Sequence, residues 1–535
     1  MKKSFFISYP RLLVLALLGL FLTCSTGCSK KPSKPKQSLR INFGRDAYTL
    51  DPRKAEEEAS QNLALMLYEG LMRVGKEGKL EFALAKGYTL SSDKKTYTFF
   101  LRDAKWSSGE AITAHDFEYS WKKILSPEFQ TPVAYEFYIL KNGKEAATGK
   151  KPLESVGVKA LDNKTLEVTL EYPAPYFPDI TASNPYYYPV CSGIDEQNPE
   201  AFSGKGGSFS GPFKLKKWER GHKIILEKNP AYWDKEHVHL EDIQISCVGD
   251  MRTELALFED KQLDWAGQPI SLGLPIDALE SLQKEGKLKT ASPSKLYLYF
   301  FNVNKAPFDN QKMRCAFSLA INRKEIVKHV AQGGQVPAQG FVPPLFAKSS
   351  ELYFKDGDIE MAQKLFNEAL EEMSLTRETL PHVCINAYSS SVQEKVAQTV
   401  ARQWETAFDI PVRIENSEWS VHIDKLYHLD YQVLCVNWFP SLRDPMCFLE
   451  IFSPERSNFN SWDHPDYKKL LEKSKHARST KARNTLLIEA EKMLVENMPA
   501  APLYFNGANY LIADNLREVR VGEFGTVDFK YAYFE

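Results

Sequence analysis

The residues of this chain that are able to do chemistry lie scattered along it. His237-Val238-His239 comes nearest to a metal pair, because alternate residues of a strand share a face and two imidazoles there begin a ligand set. Two histidines in a charged stretch are more often simply solvated, and that reading competes with the first. Cys191, Cys247, Cys315, Cys384, Cys435 and Cys447 are far apart and lack the C-x-x-C spacing of a zinc site. An oxidising compartment permits disulfides among them without fixing their connectivity, and burial as small apolar residues is the alternative. Lys205-Gly206-Gly207-Ser208 lacks the spacing of a phosphate-binding loop, and no G-x-S-x-G nucleophile elbow occurs. Residues 204–211 read instead as a turn before the strand Phe213-Lys214-Leu215. No enzyme, metal or cofactor is expected from these residues.

The elements that would position a site are easier to read. Asp103 to Trp121, DAKWSSGEAITAHDFEYSW, contains a turn, then Thr113 with Asp116 three residues later. That spacing puts a side-chain oxygen at each end of a helix's first turn, where backbone N–H groups lack partners. Phe117, Trp121, Ile124 and Leu125 follow at helical spacing and should face a core. Leu63, Met66, Leu67 and Leu71 repeat the pattern behind Glu56-Glu57-Glu58, whose charges suit the positive end of a helix. Thr96–Leu101, Lys164–Leu170 and Lys223–Glu227 read as strands, and Leu296–Val303 as a buried one rich in aromatics. Helical patterns cover Gln311–Ala331, Asp358–Met373, Val392–Phe408 and Thr480–Asn497. Strands and helices interleave, so the class is α/β, and no internal repeat is present.

At 535 residues the chain exceeds a single core, and two or three lobes are expected. A net charge of −1 argues against electrostatic binding to nucleic acid. Lys2, Lys3 and Arg11 precede an apolar run from Leu12 to Leu22, then small residues and Cys28, the three parts of a secretory signal. The run is too short to span a bilayer. The following SKKPSKPKQS cannot bury a core and should be an extended tether.

Ordered segments carry a resemblance across nearly all of the chain beyond that point. They are SLRINFGRDAYTLDPRKA, LYEGLMRV from Leu67, the Asp103–Trp121 segment and GPFKLKKWERGHKIILEKNPAYWD from Gly211. FNVNKAPFDNQKMRCAFSLAINRKEIV from Phe301, NSEWSVHIDKL, VNWFPSLRDPMCFLEIF and NMPAAPLYFNGANYLI complete the set. Together they resemble the bacterial extracytoplasmic solute-binding proteins of family 5, the oligopeptide and dipeptide receptors of ABC importers. The resemblance implies a bilobed α/β fold of the periplasmic-binding-protein type, closing on a cleft. Residues 1–27 would be a lipoprotein signal and 28–38 a tether. Lobe I would comprise 39–66, 190–294 and 506–535; an appended domain II, 67–189; and lobe II, 295–505. Ser25-Thr26-Gly27-Cys28 looks like a lipobox, with a lipid on Cys28 anchoring a monomer at the cell envelope; Cys24 is the alternative acceptor, and cleavage without lipidation the plainer reading. The implied partners are a peptide or peptide-like ligand, held as an extended strand, and the permease subunits.

Within that pattern the ligand residues divide into three groups. Trp438 matches a cleft tryptophan, but the acid three residues on, which pairs with a peptide's α-ammonium group in the family, is matched by Ser441; Asp444 lies later in the same loop and would compensate if the loop is displaced. Ala331, Leu426 and Cys435 match positions that carry basic residues for ligand carboxylates, with Lys425 as a stand-in for Leu426. Tyr299, Trp419, Asn437, Trp438 and Glu56-Glu57-Glu58 keep the wall and backbone positions, where aromatic rings give flat apolar surfaces with a polar edge. Core packing is the competing reading for each tryptophan, and the expected one for Trp121 and Trp233. Weak clamps at both ends imply an atypical ligand: a murein peptide, a peptide with a modified amino end, or another peptide-sized solute. The competing class is an envelope adhesion or peptidoglycan-binding protein that keeps the fold without transport.

Overall fold

A computed structural model describes Met1 and residues 36–535 apart from 76–78, 199, 205, 390, 441–443, 454–458, 478 and 523–525. The secretory signal, Cys24, Cys28, Lys205 and Ser441 lie outside the described residues. β1 (Ser38–Asn42) is followed by α1 (Glu58–Leu67). Next come β2 (Ala85–Leu90), β3 (Thr96–Leu101), α2 (Ala114–Ile124), β4 (Val158–Asp162) and β5 (Thr165–Thr169). The chain continues as β6 (Phe213–Glu219), β7 (Lys223–Lys228), β8 (Asp242–Ser246), β9 (Trp265–Gly267) and β10 (Lys289–Thr290). A further section runs through β11 (Lys295–Phe301), α3 (Gln311–Leu319), β12 (Val336–Pro337), α4 (Ile359–Glu372) and β13 (Val383–Tyr388). It ends with α5 (Ser391–Phe408), β14 (Val412–Ser417), α6 (Trp419–His428), β15 (Val433–Trp438), α7 (Thr480–Asn497) and β16 (Ala500–Asn506). β17 (Asn509–Ile512) follows.

Three larger sheets organise these elements. β1 lies parallel to β8 in a four-stranded sheet ordered β1-β8-β7-β6, and β2-β3-β5-β4 form a second, antiparallel one. A six-stranded sheet is ordered β12-β16-β11-β15-β13-β14, so β11 is covered on both edges. Every residue of β11 is buried, which is why KLYLYFF has no polar alternation: both faces of a central strand are packed. One buried cluster spans residues of the first two sheets, and a second is built wholly from residues 296–505. The chain passes between them twice, side by side. Ala291 N donates to Ala508 O at 2.8 Å, Ser294 N to Asn506 O at 3.0 Å, and the Thr290 hydroxyl to Asn509 Oδ1 at 2.9 Å.

The capping pattern around Thr113 forms as its spacing implies. Asp116 Oδ2 accepts from the Thr113 backbone N–H at 2.9 Å and from its hydroxyl at 3.1 Å. Asp116 Oδ1 takes the Ser192 N–H and hydroxyl, so the same carboxylate ties α2 to the returning chain. Trp121 is buried and donates to Tyr187 O at 3.0 Å, and the Trp233 indole donates to Glu69.

Three expectations change. The repeat read through Leu71 overruns its helix, since α1 ends at Leu67 and Leu71 is buried beyond it. The helix read over Gln311–Ala331 is broken: α3 stops at Leu319, and Asn322 restarts a helical turn by accepting from Glu325 N–H at 3.1 Å. The break lets the Arg323 guanidinium turn inward to Pro502 O, Ile321 O and the Ser318 hydroxyl. His237 and His239 do not share a strand face, because Lys235–His237 form a 3-10 turn in which His237 Nδ1 meets Asp234 Oδ1 at 2.6 Å. Their rings pack instead against Tyr531 and Tyr533. The six cysteines beyond the signal are all unbridged. Among the described residues no helix is long and apolar enough to cross a membrane.

Candidate functional site

The candidate site is one face of the six-stranded sheet where the chain enters it. Residues directly opposite in antiparallel strands share a face. Lys295 pairs with Asn506, Tyr297 with Asn437 and Tyr504, and Tyr299 with Cys435. These seven residues therefore line one side of β16-β11-β15. Leu296, Leu298 and Phe300 take the other side, where the Phe300 ring meets Phe452 edge-on at 5.7 Å.

Polar groups on the first side are buried but sparsely paired. The Tyr297 ring stacks on Tyr504 at 4.9 Å, and Tyr299 meets Trp404 of α5 edge-on at 6.4 Å. Among the described residues, the hydroxyls of Tyr297 and Tyr299, Gln393 Oε1 in the first turn of α5, Ser417 Oγ and His422 Nδ1 are buried and make no well-formed hydrogen bond. Native interiors pair the great majority of such atoms, so several at the end of one sheet mark a place for polar company. Burial raises both tyrosine pKa values well above their ordinary range and pushes the Cys435 thiol up to about 11, so all three stay neutral. His422 Nε2 lies 2.8 Å from Cys435 O, and burial lowers its pKa, favouring the uncharged ring.

Lys295 is the exception on this neutral face. It is 5% exposed, its ammonium stands 4.4 Å from the centre of the Phe439 ring, and the nearest carboxylate oxygen among the described residues, of Glu58, is 4.0 Å away. Burial lowers its pKa, opposed by Glu58. No hydrogen bond from it is present among the described residues. The sequence reading passed over this residue, although a lysine heading an otherwise apolar strand was the available signal.

The expected ligand residues fare unequally. Tyr299, Cys435 and Asn437 come together on the sheet face, and Asn437 Oδ1 accepts from Asn506 Nδ2 at 3.4 Å. Trp438, at the end of the same strand, is half-buried and donates to Cys447 O at 2.8 Å. Trp419 opens α6 and is 55% exposed, with Tyr388 edge-on at 5.2 Å and the His422 ring near-parallel at 6.1 Å. Ala331 and Leu426 are buried apolar residues, and Lys425 is bound to Glu415 at 2.9 Å. Asp444 is held by Arg483 through both oxygens, at 2.7 and 2.8 Å, and Oδ1 also accepts from Met446 N–H. Its charge is therefore already answered within the chain.

The acidic triplet divides as well. Glu57 is the cap of α1: its carboxylate accepts from the Ser60 N–H at 3.0 Å, the Ser60 hydroxyl and the Tyr48 N–H at 3.0 Å. Glu58 begins the helix and points toward Lys295, and burial raises the Glu56 pKa. Glu57→Ala is expected to lower stability by about 1 kcal/mol, the usual worth of a helix cap, measured as a shift in the urea midpoint. An unchanged midpoint would mean that the cap contributes nothing.

Comparison with known proteins fits this geometry. Residues 79–460 match the family model described as bacterial extracellular solute-binding proteins, family 5 Middle. The chain is 38% identical to the oligopeptide-binding protein OppA of Bacillus subtilis over 98% of this chain and 97% of that one. Among solved structures, the periplasmic oligopeptide-binding protein OppAIV of Borrelia burgdorferi superposes with a TM-score of 0.81 at 28% identity, covering 93% of this chain and 100% of that one. The murein tripeptide binding protein MppA of Escherichia coli gives 0.82 at 25% identity, covering 94% and 99%. With most of its length matched by one family and a bilobed α/β relative at each turn, the chain belongs to the bacterial extracellular solute-binding proteins of family 5.

Proposed function

We propose that this protein is the receptor subunit of an ABC importer, capturing a peptide-like ligand between its lobes and handing it to the permease. The relatives are named as oligopeptide- and murein-tripeptide-binding proteins, and the family is one of binding proteins rather than enzymes. A ligand touching both lobes only when they are closed shifts the population toward closure, which is how such a receptor signals occupancy. The lobes would be the parts expected from the sequence: 39–66 with 190–294 and 506–535, the appended 67–189, and 295–505. A diacylglyceryl and palmitoyl anchor on Cys28 would hold the monomer at the outer face of a membrane. Loss of the protein from the membrane fraction in Cys28→Ala tests that anchor.

The observation that carries the ligand reading is the disposition of charge. Ala331, Leu426 and Cys435 supply none, while Lys425 and Asp444 are neutralised by Glu415 and Arg483. Such a cleft lacks the paired ends that hold a zwitterionic peptide and favours a murein peptide or one with a modified amino end. Titration calorimetry on the full chain, freed of copurified ligand by unfolding and refolding, tests it. Binding that ignores acetylation of the amino end, or occurs only with murein peptides, supports the reading; binding of free-amine peptides alone defeats it. Ser441→Asp is expected to tighten free-amine peptides about tenfold, since a charged partner for a desolvated ammonium is worth that much or more. No gain in the same titration would remove Ser441 from the argument.

A further inference from the structure

Lys295 is hard to explain as a stabilising residue. Burying an ammonium is costly unless it is paired and hydrogen-bonded, and an apolar side chain of similar length would fill the same space at less cost. Its one carboxylate neighbour among the described residues, Glu58, is too distant at 4.0 Å for a hydrogen bond and is itself half-exposed. The Phe439 ring offers a cation–π contact at 4.4 Å, which uses the charge without satisfying its N–H groups. All three ammonium donors are thus without an acceptor among the described residues.

The surroundings describe what is missing. Asn437 and Asn506 stand on the same sheet face and are linked at 3.4 Å, and no hydrogen bond from the Asn437 amide nitrogen is present among the described residues. A lysine ammonium on a face whose other polar side chains are neutral accepts an anion and repels an ammonium group. Phe439 directly follows Trp438 in the loop where the family pattern puts the acid that pairs with a peptide amine. Here the group beside that loop is the cation of Lys295, with the Glu58 carboxylate 4.0 Å away.

Resting on the reading of the protein as a receptor for peptide-like ligands, we infer that Lys295 is a ligand-binding residue whose ammonium receives a carboxylate of the ligand. The ligand class is a peptide-like molecule with a carboxylate placed where ordinary peptides present their amine. Four trialanine probes separate the possibilities: N-succinyl amide, N-acetyl acid, N-acetyl amide and free-amine amide. They carry a carboxylate at the amino end, a carboxylate at the other end, no charge and an ammonium group.

Calorimetry on the detergent-solubilised full chain should show the N-succinyl amide binding about tenfold or more tightly than the N-acetyl amide, as a buried charge-assisted pair requires. The free-amine amide should be the weakest. Lys295→Met should erase that margin and Lys295→Arg should keep most of it. A margin carried by the N-acetyl acid instead overturns the stated placement. A wild-type protein that binds the probes without a margin, or a margin that survives in Lys295→Met, overturns the role of Lys295 and leaves the receptor reading intact. Binding of none of the probes, nor of murein peptides, overturns the receptor reading itself. The wild-type comparison holds even if Lys295→Met fails to fold.

Discussion

Replacing Arg53 with methionine is expected to destabilise the protein by about 3–5 kcal/mol, the cost of leaving buried carboxylates without their counter-charge. Arg53 is wholly buried and holds two acids at once. Its Nε and Nη2 reach Asp51 at 2.8 and 2.9 Å, and Nη1 and Nη2 reach Asp195 at 2.7 and 2.9 Å. The rings of Phe129 and Phe202 flank the guanidinium at 4.9 and 5.2 Å. Asp195 also accepts from the Tyr119 hydroxyl of α2 at 2.8 Å. The group therefore fastens the turn before α1 to α2 and to the chain that returns at Ser192–Gln197. Burial works against charge at Asp195, but the hydrogen bond and charge of Arg53 outweigh it and hold the carboxyl below its usual 3.8. A depressed folded pKa contributes its full stability above the unfolded value and loses it as pH falls through the folded one. Urea unfolding should thus show the wild type losing stability below about pH 4, and Arg53→Met should be weaker at neutral pH with a flatter acid limb. Asp195→Asn in the Arg53→Met background should recover part of the loss, because one stranded charge is gone. A loss under about 1 kcal/mol would place this group among the surface pairs.

The parts of the fold legible in sequence were those set by local spacing. Thr113 with Asp116 marked the start of α2, and the apolar repeats marked α4, α5 and α7 within a residue or so. Where tertiary contacts decide, spacing misleads. The break after Leu319 turns the Arg323 guanidinium to an acceptor on β16, a contact that no window of sequence reveals. His237 leaves the strand geometry because Asp234 is adjacent in space as well as in sequence. At the site, the family pattern named Tyr299, Cys435 and Asn437 in separate roles, and the register of β11 with β15 is what brings them to one face. The pattern could not show that Asp444 and Lys425 are neutralised, because their partners Arg483 and Glu415 come from other elements. Lys295 escaped for the same reason: its isolation is a fact about what does not surround it.

Arg483→Met is the second substitution expected to act strongly, and it links stability to ligand capture. Arg483 projects from α7 to Asp444, and its guanidinium lies 5.5 Å from the Tyr176 ring. Burial alone would lower its pKa, but the hydrogen bonds and charge of Asp444 outweigh that and raise it. Tyr176 in turn shares a hydroxyl contact at 3.4 Å with Tyr172, whose ring meets Lys475 and His476. One ion pair thus supports the end of the Trp438 loop and a seam between residues 172–176 and α7 with its neighbours. Removing the guanidinium strands Asp444, which is nearly buried, and a loss of about 3 kcal/mol follows from breaking such a pair from one side. A loop freed from its anchor must be ordered again when ligand arrives, so affinity should fall about tenfold, mainly through faster release. Arg483→Lys should rescue less than half of both losses, because a single ammonium cannot reproduce the two parallel bonds of the fork. Asp444→Asn in the Arg483→Met background should restore stability more than binding, because it removes the stranded charge without restoring the anchor. If ligand release in Arg483→Met matches the wild type while stability falls, the pair holds α7 alone and the loop needs no anchor from it.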